Sequence, residues 1–77
     1  MNQLINLISI NPEIRFGKPC ITGTRITVSD ILGWMASGMT QEEILNDYPL
    51  LTIEHIQAAL YFAANRETVI KFVAAWI

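Results

Sequence analysis

Thr40-Gln41-Glu42-Glu43-Ile44-Leu45-Asn46-Asp47-Tyr48-Pro49-Leu50-Leu51-Thr52 is the stretch that decides how this chain folds. A Thr followed three residues later by Glu is a capping box. The hydroxyl of Thr40 and the carboxylate of Glu43 each accept a backbone N–H that the first helical turn leaves unpaired. Met39 and Ile44 flank this box at the spacing of a hydrophobic staple. The helix so opened ends near Asp47 or Tyr48, because Pro49 lacks the N–H and the ring room needed to continue it. Thr52 opens another helix, with Leu51 and Ile56 as its staple pair and Glu54 at the positive end of its dipole. Two helices joined through the tight corner Tyr48-Pro49-Leu50-Leu51 have helix-turn-helix proportions.

Upstream, Thr27 and Asp30 form a similar box, with Asp in place of Glu. Val28, Ile31, Leu32 and Met35 then follow at the spacing of one helical face, and Gly38 sits where a glycine ends a helix. Downstream, Ile53, Ile56, Leu60 and Ala63 or Ala64 make the expected buried stripe of the third helix. No Gly or Pro follows, so the helix is expected to run toward Ile77, with a break near Asn65 or Thr68. Residues 69–77 are apolar nearly all round, and a helix of that kind needs a cover. The first third is expected to be extended and turning. Residues 4–10 are rich in branched side chains and read as a strand. Asn11-Pro12 breaks it, Ile14-Arg15-Phe16 is a second short extended piece, and Gly17-Lys18-Pro19 breaks the chain again. Thr22-Gly23-Thr24 is a tight turn between Cys20-Ile21 and Arg25-Ile26. The expected architecture is mainly α. It is one domain over 1–77, a three-helix homeodomain-like helix-turn-helix bundle with a short N-terminal β segment. A β/turn segment occupies 1–27, the tri-helical core 28–64 and an apolar helical extension 65–77.

The composition limits what such a chain can be. It has 77 residues, of which 52% are hydrophobic, and its mean hydropathy is +0.36. A domain this small buries only about 60–65% of its unfolded surface. Its surplus of apolar side chains predicts an interface, either a homodimer or a complex with another protein. Cys20 is the sole cysteine, so no disulfide can staple the fold, and His55 is the sole histidine, so no cofactor or metal is expected. No apolar run reaches the roughly 20 residues that span a bilayer. The start lacks the positive charge of a secretory leader, and the expected location is cytoplasmic. Residues 26–65 hold Asp30, Glu42, Glu43, Asp47 and Glu54 but no Lys or Arg; every cation lies at the flanks.

The run Gly17-Lys18-Pro19-Cys20-Ile21-Thr22-Gly23-Thr24-Arg25-Ile26-Thr27-Val28 resembles the prokaryotic family called domain of unknown function 433. So do Gly38-Met39-Thr40-Gln41-Glu42-Glu43-Ile44, Asp47-Tyr48-Pro49-Leu50-Leu51-Thr52 and Ala58-Ala59-Leu60. The resemblance covers roughly residues 8–64. It implies a homeodomain-like helix-turn-helix fold with an N-terminal β segment. It also implies an antitoxin of a toxin–antitoxin pair, which would silence a PIN-like nuclease encoded beside it and contact its own operator.

Side-chain chemistry favours a protein partner over DNA. A DNA reader needs Lys or Arg at phosphates and Arg, Asn or Gln at base edges. The third helix offers Glu54, His55 and Gln57 without a cation, so any nucleic-acid contact falls to Arg15, Lys18 and Arg25. Gly17-Lys18-Pro19 and Gly23-Thr24-Arg25 lack the spacing of a phosphate loop, and Arg25 is expected to pair with a nearby carboxylate such as Asp30. His55 and Cys20 have no spaced partners for catalysis, and Glu42, Glu43 and Asp47 read as a cap and a solvated face. No enzymatic activity is expected. Trp34, Tyr61, Phe62, Phe72 and Trp76 fall off the core stripes and are the expected protein-interface anchors, with Val69 and Val73 beside them. The expected function is antitoxin-like neutralisation of a PIN-like toxin. A homodimeric DNA-binding regulator and a purely structural homo-oligomer are the alternatives.

Overall fold

The computed structural model describes residues 3–66. The expected extension, with Val69, Phe72, Val73 and Trp76, lies outside the described residues from 67 onward.

Three helices form as the caps dictate: α1 Val28–Ala36, α2 Gln41–Asp47 and α3 Ile53–Ala64. Thr27 Oγ1 accepts the Asp30 N–H at 2.8 Å, while the Asp30 carboxylate accepts the Thr27 N–H at 3.1 Å. Thr40 and Glu43 repeat this exchange at 3.1 and 2.9 Å. At α3 the partner is unexpected. The Thr52 N–H donates to Nδ1 of His55 at 3.0 Å, so the imidazole does the work a Glu does at α2. Gly38 has φ +104°, a conformation costly for any residue with a Cβ. Its N–H donates to Met35 O and that of Met39 to Trp34 O, which closes α1 with the paired bonds of a Schellman motif. Thr40→Ala removes one cap acceptor. It is expected to cost about 1 kcal/mol and to lower the melting temperature by roughly 4–8 °C, with Thr40→Ser near wild type in a circular dichroism melt.

The core joins all three helices to the N-terminal segment. Ile21, Val28, Ile31, Ile44, Leu51, Ile56, Ala59 and Phe62 form one buried cluster. Leu32, Met35 and Met39 pack against it. Trp34, near the end of α1, stacks on Tyr48 at the corner after α2, with centroids 4.1 Å apart and planes 9° from parallel.

Two expectations fail in the first third. Residues 4–10 are not a continuous strand. Gln3–Leu7 is a 3-10 turn, and only Ile8–Ser9 (β1) is extended. Ile5 of the turn and Ile8 of β1 both pack against the core. The branched side chains are thus buried by packing, not by alternation, and tertiary context overrides strand propensity. β1 pairs antiparallel with β2, Cys20–Ile21, in the register Ile8↔Ile21 and Ser9↔Cys20. Of Ile14-Arg15-Phe16 only Ile14 is extended; Arg15–Gly17 is a left-handed turn, with φ +50° at Arg15, +60° at Phe16 and +80° at Gly17.

The turn after β2 forms as expected, with φ +82° at Gly23. The Ile21 N–H donates to Ile26 O at 2.8 Å, and Cys20 bridges Thr27. The hairpin therefore delivers the chain to the cap of α1. In α3 the buried residues are Ile56, Ala58, Ala59 and Phe62. Ile53 and Leu60 are surface residues at 41% and 38% exposure, and Ala63 and Ala64 are exposed. The stripe turns toward Ala59 because α3 lies between α1 and the N-terminal 3-10 turn, which cover it from two sides.

Candidate functional site

The buried arc of α3 fixes what its other side presents. Ile53, Gln57, Leu60 and Ala64 fall at helical spacing on one outer face, and all four are exposed. Leu50, 74% exposed, stands in the corner just before this face. The surface is apolar, and α3 brings it Glu54 and no cation. The Glu54 carboxyl is held below its usual range by its own backbone N–H and by Thr52, so it stays charged through mild acid. A DNA-reading helix needs the opposite electrostatics.

The cations gather elsewhere. A cavity of about 230 Å³ is lined by Lys18 and Pro19, by Val28, Ser29 and Leu32 of α1, and by Phe62, Ala63 and Arg66 at the far end of α3. The start of α1 therefore meets the end of α3. Ala64, the last residue of α3, stands about 15 Å along the helix from Glu54, and Arg66 lies beyond it. Arg15 is committed to structure. Its guanidinium donates to Arg25 O at 2.9 Å and to the Asp30 carboxylate at 3.1 Å. Asp30 thus pairs with Arg15, not Arg25. Burial works against the Asp30 carboxylate. Hydrogen bonds from the Thr27 N–H and Arg15, with the Arg15 charge, outweigh it and hold the carboxyl below its ordinary range. Lys18 and Arg25 are exposed.

The expected interface residues separate in the same way. Phe62 is 3% exposed and belongs to the core, because the buried arc of α3 turns toward it. Trp34 and Tyr61 are half-buried, packed against the core from outside. Cys20 is buried, its thiol donating to Lys18 O at 3.3 Å. Among the described residues no three of His, Cys, Asp and Glu gather as a metal cage would. No helix among them is long and apolar enough to cross a membrane.

Two features are not legible in the sequence. Ile53 and Leu60, at the spacing of the core stripe, lie on the outer α3 face. Phe16, 96% exposed at the tip of the left-handed turn, carried no signal beyond the glycine that follows it.

Similarity to known proteins agrees with this construction. A stretch of 60 residues is 35% identical to the uncharacterized protein y4eO of Sinorhizobium fredii, covering 77% of this chain and 27% of that protein. The chain thus spans about a quarter of the length of that relative. The crystal structure of a DUF433 member from Anabaena variabilis superposes with a TM-score of 0.73 at 34% identity, over 90% of this chain and 69% of that one. The family described as "Protein of unknown function (DUF433)" matches residues 8–63, from β1 to the penultimate residue of α3, and the chain belongs to that family.

Proposed function

We propose that this protein is an antitoxin-like binding module that neutralises a PIN-like nuclease by protein–protein contact, with the outer face of α3 as the contact surface. The observation that carries this is the cation-poor apolar face made by Leu50, Ile53 and Leu60 on the helix that would otherwise read DNA. Aliphatic side chains held on a rigid helix supply affinity by leaving water. The acidic groups of α2 and Glu54 suit the basic surface of a nuclease that handles RNA. The test is co-expression with a PIN-like nuclease encoded beside it, the partner this reading requires. Wild type is expected to co-purify with the nuclease and to relieve growth arrest. Leu60→Asp is expected to weaken binding at least thirtyfold, to about the level of lost protection, with an unchanged circular dichroism spectrum. Absence of co-purification, or full protection by Leu60→Asp, rejects the proposal.

A homodimeric DNA-binding regulator is the second reading, favoured by the exposed cations at the opposite end. It rests on Lys18 and Arg25, since Arg15 is held by Asp30. A promoter-fragment shift that fades steeply with salt and vanishes in Lys18→Glu/Arg25→Glu supports it; a shift insensitive to salt rejects it.

A further inference from the structure

We infer that two copies of this chain join by seating Phe16 of each in the cavity beside Lys18 of the other. The knob is unusual on two counts. Phe16 is almost wholly exposed, and its backbone occupies a left-handed conformation at φ +60°. Left-handed backbone is unfavourable for a residue with a Cβ and persists only where its surroundings enforce it. Here they do. The Gly17 N–H donates to Ile14 O at 3.1 Å and the Lys18 N–H to Arg15 O at 3.2 Å. The Arg15 side chain ties the turn to Arg25 O and to Asp30 of α1. A braced aromatic has little backbone freedom left to lose on binding.

The hole lies next to the knob. Pro19, Val28, Leu32, Phe62 and Ala63 give the 230 Å³ cavity its apolar wall, and Lys18, Ser29 and Arg66 supply a polar side. An apolar cavity of about 150 Å³ accepts a benzene ring, so there is room for a phenyl group. Lys18 and Arg66 line the same cavity, and cations complement the negative face of an aromatic ring. One residue, Gly17, separates Phe16 from Lys18, while the exposure of Phe16 shows that it does not fill the cavity of its own chain. A knob beside its own hole is self-complementary about a twofold axis. Such a contact seats two side chains at once and closes at the dimer. None of Leu50, Ile53 and Leu60 lines the cavity, although Ala63 stands one helical turn from Leu60.

The test is sedimentation equilibrium of the full chain across salt concentrations. Wild type is expected to be a dimer that holds or tightens as salt rises, because the contact is apolar and the like-charged rims repel. Phe16→Gly removes the knob and suits the left-handed backbone. Ala63→Phe, on an exposed helix position, fills the hole. Each loses both seats and is expected to dissociate about a thousandfold more readily, with a melting curve showing that it is folded. An equal mixture of the two variants restores one seat, the Phe16 of the Ala63→Phe chain in the open cavity of the other, and is expected to associate more tightly than either alone. A monomeric wild type, a Phe16→Gly variant as dimeric as wild type, a dimer that dissolves in salt, or a mixture no tighter than its parts overturns the inference. Nuclease capture is read separately with Leu60→Asp, so one proposal can fail without the other.

Discussion

Phe62→Ala is expected to remove a large share of the folding free energy. Phe62 is 3% exposed and belongs to the buried cluster that spans every helix. Truncating a buried Phe to Ala costs about 3–5 kcal/mol, from lost burial and from the void left behind. A domain of this length has only about 4–11 kcal/mol in total. Phe62 also lines the cavity at the end of α3, so it has fewer packing partners on that side, and the lower part of that range is the better expectation. The melting temperature is expected to fall by more than about 15 °C, as followed by far-ultraviolet circular dichroism. Phe62→Leu retains most of the volume and is expected to fall much less. If Phe62→Ala melts within a few degrees of wild type, the phase assigned to α3 is wrong.

Asp30→Ala comes next in magnitude. One carboxylate oxygen accepts the N–H of Thr27, a residue 1% exposed, and the guanidinium of Arg15. Removing it leaves a buried N–H without a partner, which costs about 1–3 kcal/mol. The ion pair is about a third exposed at both partners and adds less than about 1 kcal/mol. Together they give an expected loss of roughly 2–3 kcal/mol. Asp30→Asn keeps an acceptor for Thr27 and is expected to lose about half as much. The charge also sets a pH dependence. Folding holds the Asp30 carboxyl below its ordinary range, so the folded chain resists protonation more than the unfolded one. That contribution is complete above the unfolded carboxylate pKa, about 3.9, and drains away as acid takes the pH below it. Glu43 and Glu54, held low by cap hydrogen bonds, slope the same way. Urea midpoints measured from pH 6 down to about pH 2 are expected to fall for wild type and to fall less steeply for Asp30→Asn. Parallel curves reject the assignment.

What could be read without coordinates was local. Thr27 with Asp30, Thr40 with Glu43, and Gly38 each act within a few residues, so their roles follow from spacing alone. The concentration of acid in the middle of the chain was equally plain, and it already argued against a DNA-reading third helix. What escaped was set by contacts distant in sequence. Ile53 and Leu60 have helical spacing as good as that of Ile56 and Ala59; only the two elements covering α3 decide which set is inside. The branched residues before Ile8 look like a strand until the core takes both Ile5 and Ile8. The left-handed turn at Phe16 depends on an ion pair between Arg15 and Asp30, fifteen residues apart. The cavity needs Lys18 and Pro19, α1 and the end of α3 brought together before it exists at all.

The flat contact between Trp34 and Tyr48 bears on how this molecule meets others. With Tyr48 clamped on one side, Leu51 sunk in the interior on the other and the Leu51 N–H bonded to Tyr48 O at 2.9 Å, the backbone that carries the protruding Leu50 is pinned. Under the proposed function, such a prow would give up little backbone disorder on landing, and the remaining adjustment would fall to the opposite protein.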